Sequence, residues 1–274
     1  MKKMVLGSLL TLAIGVSIVG CGGQATITSS TQQETFVVGM ECGYAPFNWT
    51  TLEGNEFTYP IDGTKMYADG YDIQIAKEVA NSLNKKLVIK AIDWDGLIPA
   101  LTSGQIDAII AGMSPTEDRK LSIDFTADYY TSTHVIVMEK TSKYVNATSL
   151  TDFNGAKVVG QIETLYDSLI DQLVGATHET PLGDVPTIIT NITSGRADCT
   201  ILEEPVAIGI IKANPDLTYV KLTNSFVVAE EDVVVSIAIA KGHEDLITQI
   251  NSVLADISSS EREQLMVGAI ERSE

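Results

Sequence analysis

LTSGQIDAIIAGMSPTEDRK, residues 101–120, contains a helix end, a tight turn and an apolar strand that breaks at its carboxyl end. Gly104 supplies the left-handed residue that a helix C-terminus commonly needs, and Asp107 leads into the apolar run Ala108 to Met113. Beyond Met113 the order Ser114, Pro115, Glu117 predicts a capping box, with Ser114 as N-cap, Pro115 at the first helical position and Glu117 three residues on. A helix N-terminus offers free N–H groups and a positive dipole end. Arg119, one turn further, offers a bidentate fork to a planar carboxylate. The competing reading is a well-capped surface helix with Arg119 paired to Glu117 or Asp118.

Working outward, short apolar or β-branched runs alternate with helical patterns. TFVVGMEC (35–42), KLVIKAI (86–92), IDAIIAGM (106–113) and AKVVGQI (156–162) read as strands. In YDIQIAKEVANSLN, Ile73, Ala76, Val79, Ala80 and Leu83 share one helical face, with Asp72 as the expected cap and Asn84 as the expected end. This alternation predicts an α/β fold of right-handed βαβ units, in which ligands bind outside the carboxyl ends of the strands. The pattern of LTSGQIDAII recurs in ITSGRADCTI, residues 192–201, so two lobes of similar build are expected. The strand ends AGMSPT and ILEEPV (201–206) then face one cleft. Arg119 on one side suits a carboxylate, and Glu203 or Glu204 on the other suits an ammonium. That is the charge pattern of an α-amino acid.

The amino terminus bounds where such a site works. MKKMVLGSLLTLAIGVSIVG, residues 1–20, has a basic start and an apolar stretch too short for a membrane span, which reads as a secretory signal. IVGC resembles the lipobox of bacterial lipoproteins, with Cys21 as the lipidated residue, and residues 21–34 read as a flexible polar tether. The formal charge of −18 becomes −20 once Lys2 and Lys3 leave with the signal, which argues against a nucleic acid partner. Cys42 and Cys199 read as buried free thiols. His134, His178 and His243 have no metal-ligand spacing, so neither a metal nor a cofactor is expected.

From about residue 35 onward, GMECGYAPFNW, YADGYDIQIAKEVA, IDWDGLIPALTSGQIDAIIAGMSPTEDRK, IDFTADYYTS and TSGRADCTILEEPVA resemble the family 3 solute-binding proteins that serve ABC importers of polar amino acids. The resemblance implies a periplasmic-binding-protein-like fold of type II, with two parallel-rich sheets, flanking helices and a two-stranded hinge. Lobe 1 is expected to comprise residues 35–131 and 226–274, lobe 2 residues 132–225, with crossings near Tyr130 to Thr133 and Thr223 to Val228. It further implies that Arg119 takes the ligand carboxylate, assisted by the N–H and hydroxyl of Ser114 and the N–H of Thr164. The Gly112 carbonyl and Glu203 take the ammonium, Tyr44 and Trp94 sandwich the side chain, and Glu41 lines its pocket. An acidic Glu41 beneath aromatic faces favours a cation, arginine first, then lysine or ornithine. Glutamine or another neutral polar amino acid is the alternative, and a cyclohexadienyl-dehydratase-like enzyme on the same fold is a further one. A catalytic role is not expected, because the amino acid anchors are present and no nucleophilic constellation is visible. The implied protein is a lipid-anchored monomer on the extracellular face of the membrane, partnered by a permease.

Overall fold

A computed structural model describes residues 33–273, so the expected signal, Cys21 and most of the expected tether lie outside the described residues. The expected alternation builds two five-stranded sheets. In the first, the order is Lys86–Ala91, Thr35–Met40, Ala108–Ile109, Val234–Ala240, Ile123–Thr131. In the second it is Thr177–His178, Lys157–Val158, Cys199–Glu203, His134–Glu139, Leu217–Val220. In each sheet the first three strands run parallel and the fourth is antiparallel to both neighbours. Each fourth strand comes directly from a crossing: His134–Glu139 follows the chain's departure from the first sheet, and Val234–Ala240 follows its return. The two lobes are therefore built alike.

The sequence repeat has a physical basis in both lobes. Gly104 (φ 74°) and Gly195 (φ 71°) turn the chain after a helix. Asp107 N–H then donates to Val37 O, and its carboxylate accepts from Val37 N–H, both at 2.8 Å. Asp198 repeats both contacts on Lys157, also at 2.8 Å. The aspartate thus pairs both backbone groups of a residue in the neighbouring parallel strand.

Three expectations are corrected. Helix Glu117–Lys120 is capped by Thr116, whose hydroxyl accepts from Arg119 N–H, and not by Ser114. Two caps compete here, and Thr116 places both Glu117 and Asp118 in the first turn, where the dipole favours acids. The second correction concerns helix Tyr71–Ser82, which starts after Gly70; Asp72 lies within its first turn and is fully buried. Asn84, in the left-handed conformation, ends that helix as expected. Third, the return crossing falls later than residues 223–228. Phe226 and Val228 still pack in the second lobe's core, Val227 exchanges two hydrogen bonds with Gln172, and the first sheet is regained only at Val234. Phe226 and Val227 look like a strand in sequence because they are apolar, but Phe226 closes a core while Val227 is exposed. The outward crossing lies at Ser132 and Thr133, where Ser132 N–H donates to Val233 O at 2.8 Å.

Helices Glu244–Asp256 and Ser259–Arg272 are separated by a Ser258–Glu261 capping box and pack on helix Tyr71–Ser82; the second also reaches Glu204–Ala213. Cys42 and Cys199 are buried and unpaired.

Buried Asp72 anchors a polar network beneath the strand ends of the first lobe. Its carboxylate accepts from Asn48 Nδ2 at 2.8 Å and from the Tyr129 hydroxyl at 2.7 Å. Tyr129 in turn accepts from Gly112 N–H at 3.1 Å, and Asn48 Oδ1 accepts from Cys42 N–H at 2.7 Å. Burial holds Asp72 up at about 6. Tyr129→Phe removes a donor to the Asp72 carboxylate and an acceptor for Gly112 N–H, so a loss of about 1–3 kcal/mol is expected. Urea unfolding reads it as a lower midpoint at unchanged slope; an unchanged midpoint means that the network does not hold the fold.

Candidate functional site

The carboxyl ends of the two sheets meet around a cavity lined by Glu41, Tyr44, Trp94, Gly112, Ser114, Arg119, Gln161, Thr164, Leu165 and Tyr166. Seven of the eight expected residues line it; Glu203 is not among them. Three backbone turns in the left-handed region shape the walls: Cys42 (φ 57°), Gly112 (φ 61°) and Glu163 (φ 58°). Two of them are not glycine, the kind of local cost that persists where surrounding contacts impose it. At Gly112 space is also tight, since a Cβ would stand 3.3 Å from both Tyr44 and Phe47.

Arg119 projects from the short helix Glu117–Lys120. Its Nη1 donates to Ser114 O at 2.9 Å and its Nη2 crosses to Glu163 O in the second lobe at 3.2 Å. The guanidinium lies 5.1 Å from the centre of the Trp94 ring. Neither Glu117 nor Asp118 pairs with it; Glu117 pairs with Lys120 instead, which removes the surface-helix reading. Among the described residues no carboxylate lies within ion-pair distance of Arg119. Burial lowers its pKa to about 10, so it stays charged at neutral pH. Two of its five N–H donors are occupied, which leaves three.

Because the helix cap falls on Thr116, the N–H and hydroxyl of buried Ser114 have no protein partner among the described residues. Thr164 differs from the expectation. Its hydroxyl donates to Gln161 O at 2.7 Å and caps helix Leu165–Leu169, while its N–H closes a turn on Gln161 O at 3.3 Å. The left-handed Glu163 makes that turn and aims its carbonyl at the first lobe, where it also accepts from Trp94 Nε1 at 3.2 Å.

The acidic side of the cavity is Glu41, whose Oε1 accepts from Gln161 Nε2 at 3.0 Å across the lobes. Burial, with Asp184 and Asp93 nearby, pushes Glu41 up to about 7 against the opposing effect of the Gln161 bond. Tyr44 stacks on Phe47 at 5.7 Å, and its buried hydroxyl has no hydrogen-bond partner among the described residues.

The two strand-end glutamates separate clearly. Glu204 sits at the surface, bonded to Lys221 Nζ at 2.8 Å, the Thr133 hydroxyl at 2.9 Å and the Tyr219 hydroxyl at 3.3 Å. Glu203 is buried with neither carboxylate oxygen partnered, and burial pushes it up to about 8. It pairs in register with His134, so both side chains share a face of the sheet. The His134 ring packs edge-on to Tyr166 at 5.5 Å, which places Glu203 on the side of the sheet that carries this cavity wall.

Gln161, Leu165 and Tyr166 were not read from the sequence. Gln161 had a signal, a polar residue interrupting the apolar run AKVVGQI at a strand's carboxyl end; Leu165 and Tyr166 read as ordinary packing residues. Among the described residues, no cluster of His, Cys, Asp and Glu is arranged to hold a metal, and no helix is long and apolar enough to cross a membrane.

Known proteins share this architecture. The arginine-binding extracellular protein ArtP of Bacillus subtilis is 30% identical over 220 residues, 79% of each chain. A probable histidine-binding protein of Neisseria gonorrhoeae is 27% identical over 267 residues, covering 95% of this chain and 92% of that one. An amino acid ABC transporter substrate-binding protein of Streptococcus pneumoniae, solved with L-arginine bound, superposes with a TM-score of 0.75 at 26% identity, covering 87% of this chain and 95% of that one. Residues 36–267, which include every cavity residue and both sheets but for Thr35, match the bacterial extracellular solute-binding proteins of family 3, and the chain belongs to that family.

Proposed function

We propose that this protein captures a polar amino acid outside the cell, a cationic one with arginine first, and delivers it to an ABC permease from a lipid anchor at Cys21. The observation that carries this reading is Arg119, a half-buried guanidinium with three unspent donors and no carboxylate partner among the described residues, beside the unpartnered N–H and hydroxyl of buried Ser114. An α-carboxylate satisfies both. The ammonium goes to the Gly112 carbonyl and Glu203, the acid left without partners while Glu204 is engaged at the surface. Tyr44 and Trp94 flank the side chain, which runs toward Glu41; Thr164 holds the turn that carries the Glu163 carbonyl. Parting of the lobes at Ser132–Thr133 and before Val234 admits the ligand. The ligand contacts both lobes only when they close, so it shifts the population toward the closed form.

A second reading, a neutral amide ligand such as glutamine, draws on Glu41: with its pKa near 7, part of the population carries a proton and donates. Calorimetric titration of the refolded chain against arginine, lysine, ornithine, histidine, glutamine, cystine and prephenate separates the readings. Binding confined to the cationic members supports the first, glutamine alone supports the second, and prephenate turnover without amino acid binding overturns both.

Arg119→Ala is expected to weaken binding by about 2–5 kcal/mol while leaving the melting transition in place, because it removes one partner of a buried charge pair; an unchanged affinity removes Arg119 from the site. Glu203 holds a proton at neutral pH and releases it as an ammonium arrives. Binding measured at pH 7 in buffers of different ionisation enthalpy therefore shows proton release, and Glu203→Gln removes the larger share of it. Equal release by both proteins places the ammonium elsewhere. Cys21→Ala is expected to abolish incorporation of labelled palmitate in a bacterial host and to free the protein from the membrane fraction; retained label excludes Cys21 as the anchor.

A further inference from the structure

Gln161 spends its amide nitrogen twice. Nε2 donates to Glu41 Oε1 and to Gly183 O, each at 3.0 Å. Both partners are oxygens, and the Gly183 carbonyl has no proton to give, so only the nitrogen end of the amide fits there; the reversed orientation sets Oε1 against two acceptors. Both amide protons are consumed. What Gln161 retains is Oε1, an acceptor with no donor among the described residues, on a side chain that lines the cavity. Beside it stands the Glu41 carboxylate, which is also acceptor-only when ionised.

We propose that Gln161 is a specificity-determining residue, which withholds its protons from the ligand and completes, with Glu41, a wall of acceptors contributed by both lobes. The proposal rests on the amino acid reading above and names the chemistry it selects: a planar side-chain cation with several N–H donors, a guanidinium, over a primary amide. A guanidinium spreads its donors over Glu41 and the Gln161 carbonyl at once. A primary amide brings donors too, but its oxygen finds no proton on this wall, a mismatch that costs about ten- to a hundredfold in affinity.

The same geometry fixes a pH signature. Glu41 is faced by Asp93, just before Trp94, by Asp184 at the start of helix Val185–Thr193, by Gln161, and by Arg119 as the cation lining the cavity. Above its midpoint Glu41 is an acceptor; below it the carboxyl becomes a donor and serves an amide oxygen. Ionisation of Glu203 favours the ammonium of both ligands alike, so the signature is a ratio: arginine affinity relative to glutamine affinity is expected to rise between pH 5.5 and 8.5.

The test is calorimetric titration of the whole chain with arginine and glutamine across this pH range, repeated with Gln161→Met, which keeps the length of the side chain and removes the amide. In the variant, arginine affinity at pH 7.5 is expected to fall about tenfold or more while glutamine stays within about threefold. The midpoint of the pH profile of that ratio is also expected to move to higher pH, because Glu41 loses a donor. Equal losses for both ligands, or a profile whose midpoint does not move, overturns the proposal and leaves Gln161 a structural residue. If Gln161→Met fails to fold, the wild-type profiles decide: an arginine-to-glutamine affinity ratio that rises with pH supports the proposal and a constant ratio overturns it. Tighter glutamine than arginine binding at pH 8.5 overturns it while leaving amino acid capture intact, whereas no amino acid binding by the wild type removes both.

Discussion

A guanidinium held only by carbonyl oxygens organises this molecule. Arg119 donates to Ser114 O in its own lobe and to Glu163 O in the other, with the Trp94 ring against it. Desolvating such a charge is costly, and two carbonyl dipoles and an aromatic face offset only part of that cost. The consequence is a positive centre with unspent donors at the seam of two lobes. The turn that presents Glu163 O is in turn fixed by Thr164, and Trp94 donates to the same carbonyl. One backbone oxygen thus collects two contacts from the first lobe, and it reaches them because Glu163 adopts a left-handed conformation.

The first lobe is arranged for the site in a second way. Asp72, far from any ligand contact in sequence, fixes Gly112 through Tyr129 and Cys42 through Asn48. Gly112 and Cys42 flank Tyr44 and Glu41, so one buried carboxylate sets the backbone on both sides of the cavity. A fully satisfied buried polar network is rigid because each member has a costly alternative. Glu41, which lines the cavity, and Glu203, buried without partners, are different: burial raises the pKa of each, and no cation is among the groups that lower it. The framework is satisfied within the protein, and the ligand-facing side is left to be satisfied by what binds.

Much of this was legible in the residues. The strand and helix alternation, the repeated Ser-Gly-x-x-Asp turn and the strand-end placement of Arg119 and Glu203 are local or periodic signals, and they fixed the two-lobe architecture. What failed was local competition. Ser114 and Thr116 are both acceptable caps, and propensity does not rank them; the acids at 117 and 118 do. Asp72 looks like a cap because it opens a helix, yet its partners Asn48 and Tyr129 are distant in sequence and no pattern links them. The return crossing was misplaced because Phe226 and Val227 are apolar for different reasons, one buried and one exposed. Gln161 was overlooked since its meaning lies in Glu41, in the other lobe, and such a pairing exists only once the lobes face each other.

That dependence bears on how selection and closure are related. The contacts that join the lobes at the cavity are Trp94 and Arg119 to Glu163 O, and Gln161 to Glu41. The first two use a backbone carbonyl and are indifferent to which side chain a ligand carries. The third is made by the two residues that line the side-chain end, so its strength depends on the charge state of Glu41. A ligand cation that keeps Glu41 ionised strengthens a bond from Gln161 and with it the closed form; a ligand that leaves Glu41 protonated weakens that bond. Discrimination then resides in the closing equilibrium as well as in contact with the ligand, because a ligand shifts that equilibrium only by its difference in affinity for the two states. The backbone-mediated contacts set a common floor for closure, and the Gln161–Glu41 pair adds the part that differs between ligands.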